Sequence, residues 1–173
     1  MAWRPREFQQ RTGYRLGVGA MKQLLGITVL LVVLGAPVGA THLPQTDPDP
    51  SLSPHDVVRI QIEALQHNDT PYQDRGIEVT FNFASPTNKR MTGPLERFKA
   101  MVRNPIYRPM IDHRSAEYEN VRVEGDFAQV DVILQSKDGR YLGYRFELSR
   151  QHDNQYAGSW MTDAVSRFNI VSL

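Results

Sequence analysis

The 173-residue chain contains no cysteine. That absence excludes disulfides, thiolate zinc sites, thiol nucleophiles and a lipid-modified cysteine at a processing point. Histidine is scarce, at five residues, and none is spaced from another as metal ligands are. His55, His67 and His152 fall at helix or strand ends and read as solvated. There is no Gly-rich phosphate loop, no Gly-x-Ser-x-Gly elbow and no His-Glu-x-x-His helix. No cofactor or metal is expected. A block of basic charge is also missing. Lys89-Arg90, Arg97 and Arg103 are interspersed with acids and read as surface. The net charge of +1 divides into +4 for the first 40 residues and −3 for the remainder. Nucleic-acid binding needs clustered Lys and Arg to neutralise phosphates, so that partner class is not expected.

One long apolar run is present, at residues 24–40, LLGITVLLVVLGAPVGA. Met21-Lys22-Gln23 supplies a short basic start, residues 24–34 an apolar stretch, and Val38-Gly39-Ala40 a small-residue cleavage site. The pattern has the compact form of a bacterial signal peptide. Met21 is then the expected start, residues 1–40 the signal region, and the location extracytoplasmic, periplasmic or secreted. The alternative is an uncleaved membrane anchor. A spanning helix needs about 20 apolar residues, and this run is near the lower limit and broken by Pro37. A plastid transit segment fits less well, because residues 1–20 hold Glu7 and no serine.

Residues 41–53, THLPQTDPDPSLS, cannot bury a core and read as a linker. Residues 54–173 have the length of one domain. Ser53 is a fitting N-cap, Pro54 suits the first helical position, and Asp56 completes a capping-box variant. Val57, Val58, Ile62 and Leu65 then recur at helical spacing. Asn68-Asp69-Thr70 matches a glycosylation sequon but reads as a helix-ending Asn. Residues 74–84 carry both helical and strand periodicity; a short helix stopped by Ser85-Pro86 is expected. Gly93-Pro94 opens a third helix, which Asn104-Pro105 closes.

After Pro109 the period changes to two. Residues 118–123, 127–135, 141–149 and 156–167 read as strands joined by hairpin turns, hence antiparallel. A two-residue Asp138-Gly139 turn would mix polar and apolar side chains on both faces. A three-residue loop, Lys137-Asp138-Gly139 with Gly139 left-handed, pairs Val130 with Phe146, Val132 with Tyr144 and Leu134 with Leu142. It puts Asp131 opposite Arg145 and Gln129 opposite Glu147 on the other face. Register follows the choice that gathers the apolar set on one side, so the second is expected.

Helices followed by a strand meander are an α+β pattern. From Ser51 to Phe168 the chain resembles the nuclear-transport-factor-2-like superfamily, whose cone-shaped fold is shared with ketosteroid isomerase. The residues that carry the resemblance are 121–130, VRVEGDFAQV, and the Gly158-Ser159-Trp160 strand. Within that superfamily, Phe83-Ala84-Ser85-Pro86, residues 93–98 (GPLERF), Met101-Val102 and Tyr107-Arg108-Pro109 resemble an uncharacterised family, a domain of unknown function. The resemblance implies N-terminal helices packed on a curved antiparallel sheet with a cavity between them; a homodimer is expected as part of the functional reading. It carries no catalytic residues across.

Phe98, Tyr144, Phe146 and Trp160 are the aromatics that either line such a cavity or fill the core. Asp131 is the strand acid to weigh as a general base, since ketosteroid isomerase works with an acid inside its cone. The chosen register instead makes it an ion-pair partner outside. Asp112-His113 is a further acid–imidazole pair, though neighbours on a strand point to opposite faces; Arg108 beside them suits an anion. The leading expectation is an exported, non-enzymatic module that binds a small apolar ligand or another protein. The alternative is an isomerase, hydratase or cyclase working by acid–base chemistry in the cone. A third is an envelope subunit that pairs through the charged sheet face. The first two are separated by whether an ionisable group with a partner faces the cavity.

Overall fold

Helix α1, Pro54–Gln66, begins at the expected cap. Asp56 N–H donates to Ser53 Oγ at 3.1 Å, and Ser53 N–H donates to the Asp56 carboxylate at 3.2 Å. The closed box satisfies two orphan donors of the first turn. Val57, Val58, Ile62 and Leu65 are buried on one face, and so is Gln61. The computed structural model describes residues 45–170. The expected signal segment lies outside the described residues. Among those described, no helix is long and apolar enough to cross a membrane.

Part of the segment read as a linker is attached to the domain. Asn82 Nδ2 donates to the Thr46 carbonyl at 3.2 Å, and Leu52 packs against the core. The ambiguous stretch after α1 is a helix, α2, Arg75–Asn82. It packs tightly on α1 at Gly76, where a Cβ would lie 2.1 Å from the Ala64 carbonyl oxygen. Only glycine permits that approach. Asn68 is buried and bridges the two helices. Its backbone carbonyl accepts from Gly76 N–H at 2.9 Å and its side chain from Ile77 N–H at 3.2 Å.

Two more helices follow: α3, Pro86–Thr92, and α4, Leu95–Val102. Among the described residues four helices therefore replace the three expected. Ser85-Pro86 was read only as a stop for α2, yet it also starts α3. Ser85 Oγ accepts from Asn88 N–H at 3.2 Å, and Pro86 takes the first helical position. The arrangement repeats that at Ser53-Pro54. A short 3₁₀ turn at Arg108–Met110 leads into the sheet.

The sheet is an antiparallel meander of β1 (Ser115–Glu124), β2 (Phe127–Gln135), β3 (Tyr141–Arg150) and β4 (Trp160–Phe168) in sequential order. β1 starts three residues before its expected position and β4 four residues after, because residues 156–159 form a turn. The β2–β3 register is the expected one: Val130 opposes Phe146, Val132 opposes Tyr144, Leu134 opposes Leu142, and Asp131 opposes Arg145. The loop closes through Ser136 and Arg140, with Gly139 at φ +87°.

That register gives the sheet two unlike faces. Val130, Val132, Leu134, Leu142, Tyr144 and Phe146 join the core with helix residues. α1 packs on β1, β2 and β4. On the outer face Arg145 donates to both oxygens of Asp131, Nε at 2.8 Å and Nη2 at 2.9 Å. Asn120 donates to the same carboxylate at 3.3 Å. Phe168 lies over the Arg145 guanidinium, and its ring fills the space beside Gly143. The Asp131 side chain is 4% exposed, whereas Arg145 remains 39% exposed. The outer edge of β4 is tied to the segment between α2 and α3. Thr162 N–H donates to Phe83 at 2.9 Å, and Ser85 N–H donates back at 2.8 Å.

The Arg145 hydrogen bonds, above all, hold the Asp131 carboxyl below the usual carboxylate range against the opposing effect of burial. A lowered carboxyl adds stability that is complete above its unfolded value, about 3.9, and is lost as pH falls through the folded value. Arg145→Ala leaves a buried acceptor short of donors, which costs roughly 1–3 kcal/mol at pH 7. Urea unfolding of both proteins should show that gap at pH 7 and a smaller gap at pH 3. A gap unchanged between the two pH values contradicts this account of the pair.

Candidate functional site

The segment between α4 and β1, residues 103–114, crosses one end of the sheet. Two tyrosine hydroxyls fasten it there. Tyr144, rooted in β3, donates to the Ile106 carbonyl at 2.7 Å. Tyr107, within the segment, donates to the Val165 carbonyl of β4 at 3.0 Å. Asp112 N–H adds a bond to the Leu65 carbonyl at the end of α1, at 3.1 Å. Burial pushes the Tyr144 hydroxyl up to about 12, so it stays protonated and continues to donate.

Behind this strap lies a cavity of about 210 Å³ between the sheet and the helices. Phe98, Met101 and Val102 of α4 form one wall, with Phe146 and Val165 of the sheet opposite and Met110 of the 3₁₀ turn beside them. Phe81 packs against Phe98 in a tilted arrangement, with ring centroids 5.0 Å apart. The polar part of the lining is small. Gln61 projects from the apolar face of α1 and donates to Thr162 Oγ1 at 2.8 Å and to the Val57 carbonyl at 3.1 Å. Asn88 donates to the Thr162 carbonyl at 3.0 Å. A mostly apolar hollow with a few placed polar groups is the usual make-up of a small-molecule site.

Asp163 also lines this cavity. It is the extra residue of a β-bulge, where Leu148 opposes Thr162 but Glu147 opposes Ala164. A bulge re-aims the side chain it carries, and bulges recur beside functional sites. Among the described residues no side chain hydrogen-bonds or ion-pairs with the Asp163 carboxylate.

The structure divides the residues expected from sequence. Phe98 and Phe146 line the cavity. Tyr144 and Trp160 belong to the core without lining it; Trp160 is buried beneath Arg150, whose guanidinium lies 4.9 Å above the ring. Asp131 is on the outer face of the sheet, away from the cavity. Asp112 and His113 follow the 3₁₀ turn rather than sitting in a strand, and they separate. Asp112, at φ +53°, is exposed and pairs with Lys137 at 3.4 Å. His113 is buried, with Nδ1 2.9 Å from the Met110 carbonyl oxygen. Burial lowers its basicity, and the Met110 carbonyl only partly offsets this. A neutral His113 therefore anchors the turn as a donor and does not meet Asp112.

Sequence reasoning missed Asp163, Gln61, Tyr107 and Met110. Gln61 was visible in principle, as a polar residue at helical spacing from Val57, Val58 and Leu65 on the apolar face of α1. Asp163 was not, because an unbroken strand pattern gives no sign of a bulge. Among the described residues no cluster of three metal-binding side chains occurs.

No curated protein matches the chain. A family model described as a domain of unknown function, DUF4864, matches residues 51–168. The match takes in the four helices and four strands of the described residues, including every residue of the cavity lining, and by it the chain belongs to the DUF4864 family.

Proposed function

We propose that this protein is an exported, non-enzymatic binding module that holds a small apolar ligand in the cavity between α4 and the sheet. The observation that carries the reading is the cavity, with Phe98, Met101, Met110 and Phe146 as its apolar walls. At about 210 Å³ it is smaller than the roughly 300–1,000 Å³ of drug-sized sites, which sets the ligand class at small molecules. Helices followed by a four-stranded meander, with the cavity between them, support placement among nuclear-transport-factor-2-like folds. Export rests on residues 21–40. Self-association as a homodimer finds support in the β1–β2 hairpin, where Val121, Val123 and Phe127 are 46%, 52% and 70% exposed.

A second reading has one observation in its favour, the Asp163 carboxylate carried into the cavity by a bulge. It is an acid–base isomerase, hydratase or cyclase with Asp163 as the proton acceptor. General acid–base catalysis needs a group within hydrogen-bond reach of the substrate. The binding reading is preferred because the carboxylate has no partner among the described residues to complete a catalytic pair.

The neutral fluorophore N-phenyl-1-naphthylamine should bind saturably to the purified protein at one site. Met101→Trp fills the cavity and should abolish the signal while the protein stays folded by circular dichroism. Saturable binding that survives Met101→Trp contradicts the assignment. Metabolites recovered from the protein unchanged fit the binding module. A compound recovered altered, with the alteration lost in Asp163→Asn, assigns the cavity to the second reading.

Export predicts a mature N-terminus at Thr41 in an extracytoplasmic fraction, read by intact mass. Soluble cytoplasmic protein that retains residues 24–40 contradicts it.

A further inference from the structure

The strap beside the cavity has a second face, and an open groove of about 1010 Å³ lies against it. The two hollows share walls. Val102 lines the cavity and Arg103 the groove; Tyr107 lines the cavity and Arg108 the groove. On β4, Val165 lines the cavity and Arg167, two residues on, the groove. Tyr107 stands at the partition and is held to the Val165 carbonyl by its hydroxyl.

The groove is basic on an otherwise acidic domain. Arg103, Arg108, Lys137, Arg140 and Arg167 line it against Asp69, Asp112 and Asp138, whereas residues 41–173 together carry −3. Three of the five cations are matched: Arg103 with Asp74, Lys137 with Asp112 and Arg140 with Asp138. Arg108 and Arg167 have no acidic partner among the described residues, and both are exposed. They also flank the Tyr107–Val165 hydrogen bond at the partition, Arg108 next to Tyr107 and Arg167 two residues from Val165. A cleft of one sign raises the local concentration of the opposite ion. The guanidinium fork matches carboxylate and phosphate oxygens in pairs. At the other end, Asp163 lies four residues from Arg167, about 13 Å along the strand. It repels an anionic group from the apolar end.

We propose that the ligand is a small anionic amphiphile. Its apolar part occupies the cavity, and its oxyanion, a carboxylate or phosphate, reaches past Tyr107 to Arg108 and Arg167. The inference rests on the cavity being a binding site and adds the polarity and orientation of what it binds.

Calorimetric titration of the purified protein with octanoate, octyl phosphate and octan-1-ol tests it. The three probes have eight carbons each and differ in the head. At least one anionic probe should bind about tenfold tighter than the alcohol, the effect of one charge-assisted contact. A preference shared by both anions or confined to one identifies the head and supports the proposal equally. Arg108→Gln/Arg167→Gln should remove the preference and leave octan-1-ol binding unchanged, since neither side chain lines the cavity. Equal binding of all three probes overturns the anionic inference and leaves the cavity reading standing. A preference that persists in the double variant places the anion elsewhere and also overturns it. No binding by any probe overturns both readings.

Discussion

One loop residue sets the character of the whole interior. Gly139 sits in the left-handed region, at φ +87°, and lets β2 and β3 close through three residues. Had the loop been one residue shorter, every side chain of one strand would oppose the wrong face of the other. As built, Val130, Val132 and Leu134 meet Phe146, Tyr144 and Leu142 on the helix side. The same choice puts Asp131 outside, where Arg145 neutralises it. The cavity is apolar because the register sends the β2 and β3 charges outward.

The cavity also needs a floor and a closed end, and these come from contacts between distant segments. Gly76 lets α2 approach α1 at backbone distance, and the buried Asn68 stitches the two together. The strap is fastened to the sheet by Tyr144 from below and Tyr107 from above. Each hydroxyl satisfies a carbonyl that the irregular strap or the β4 edge would otherwise leave unpaired, and a buried unpaired polar group costs about 1–3 kcal/mol. The same strap separates an apolar hollow from a basic one. A single peptide segment thereby determines both what fits inside and what charge waits at the mouth.

Much of this was legible in the chain. Ser53-Pro54 with Asp56 marked the first helix, and period-two alternation after Pro109 marked the strands. The Lys137-Asp138-Gly139 loop selected the register by binary pattern alone. The same signals failed where one residue served two elements. Ser85-Pro86 ended α2 so plainly that its second role, starting α3, went unread. Candidate site residues were less legible, because cavity walls are made by convergence. Phe98 and Phe146 lie 48 positions apart in the sequence and line one cavity only once the helices pack on the sheet. Tyr144 and Trp160 carry the same aromatic signature and are core. Asp163 owes its position to a register slip that no local pattern announces. In the strap, residues 103–114, the sequence draws attention to Asp112-His113 and to Arg108, whereas Tyr107 and Met110, which line the cavity, and Arg103, which lines the groove, carry no such signal.

The central claim is that the space bounded by α4, the strap and β4 receives a ligand. Methionine methyl groups report on it directly. Met91, Met101 and Met110 line the cavity, whereas Met161 is buried outside it. In a protein labelled with ¹³C at the methionine methyls, titration with N-phenyl-1-naphthylamine should shift the Met101 and Met110 resonances together and saturably. Met161 should stay in place. A shift of Met161 with Met101 and Met110 unmoved would place the ligand elsewhere and contradict the account.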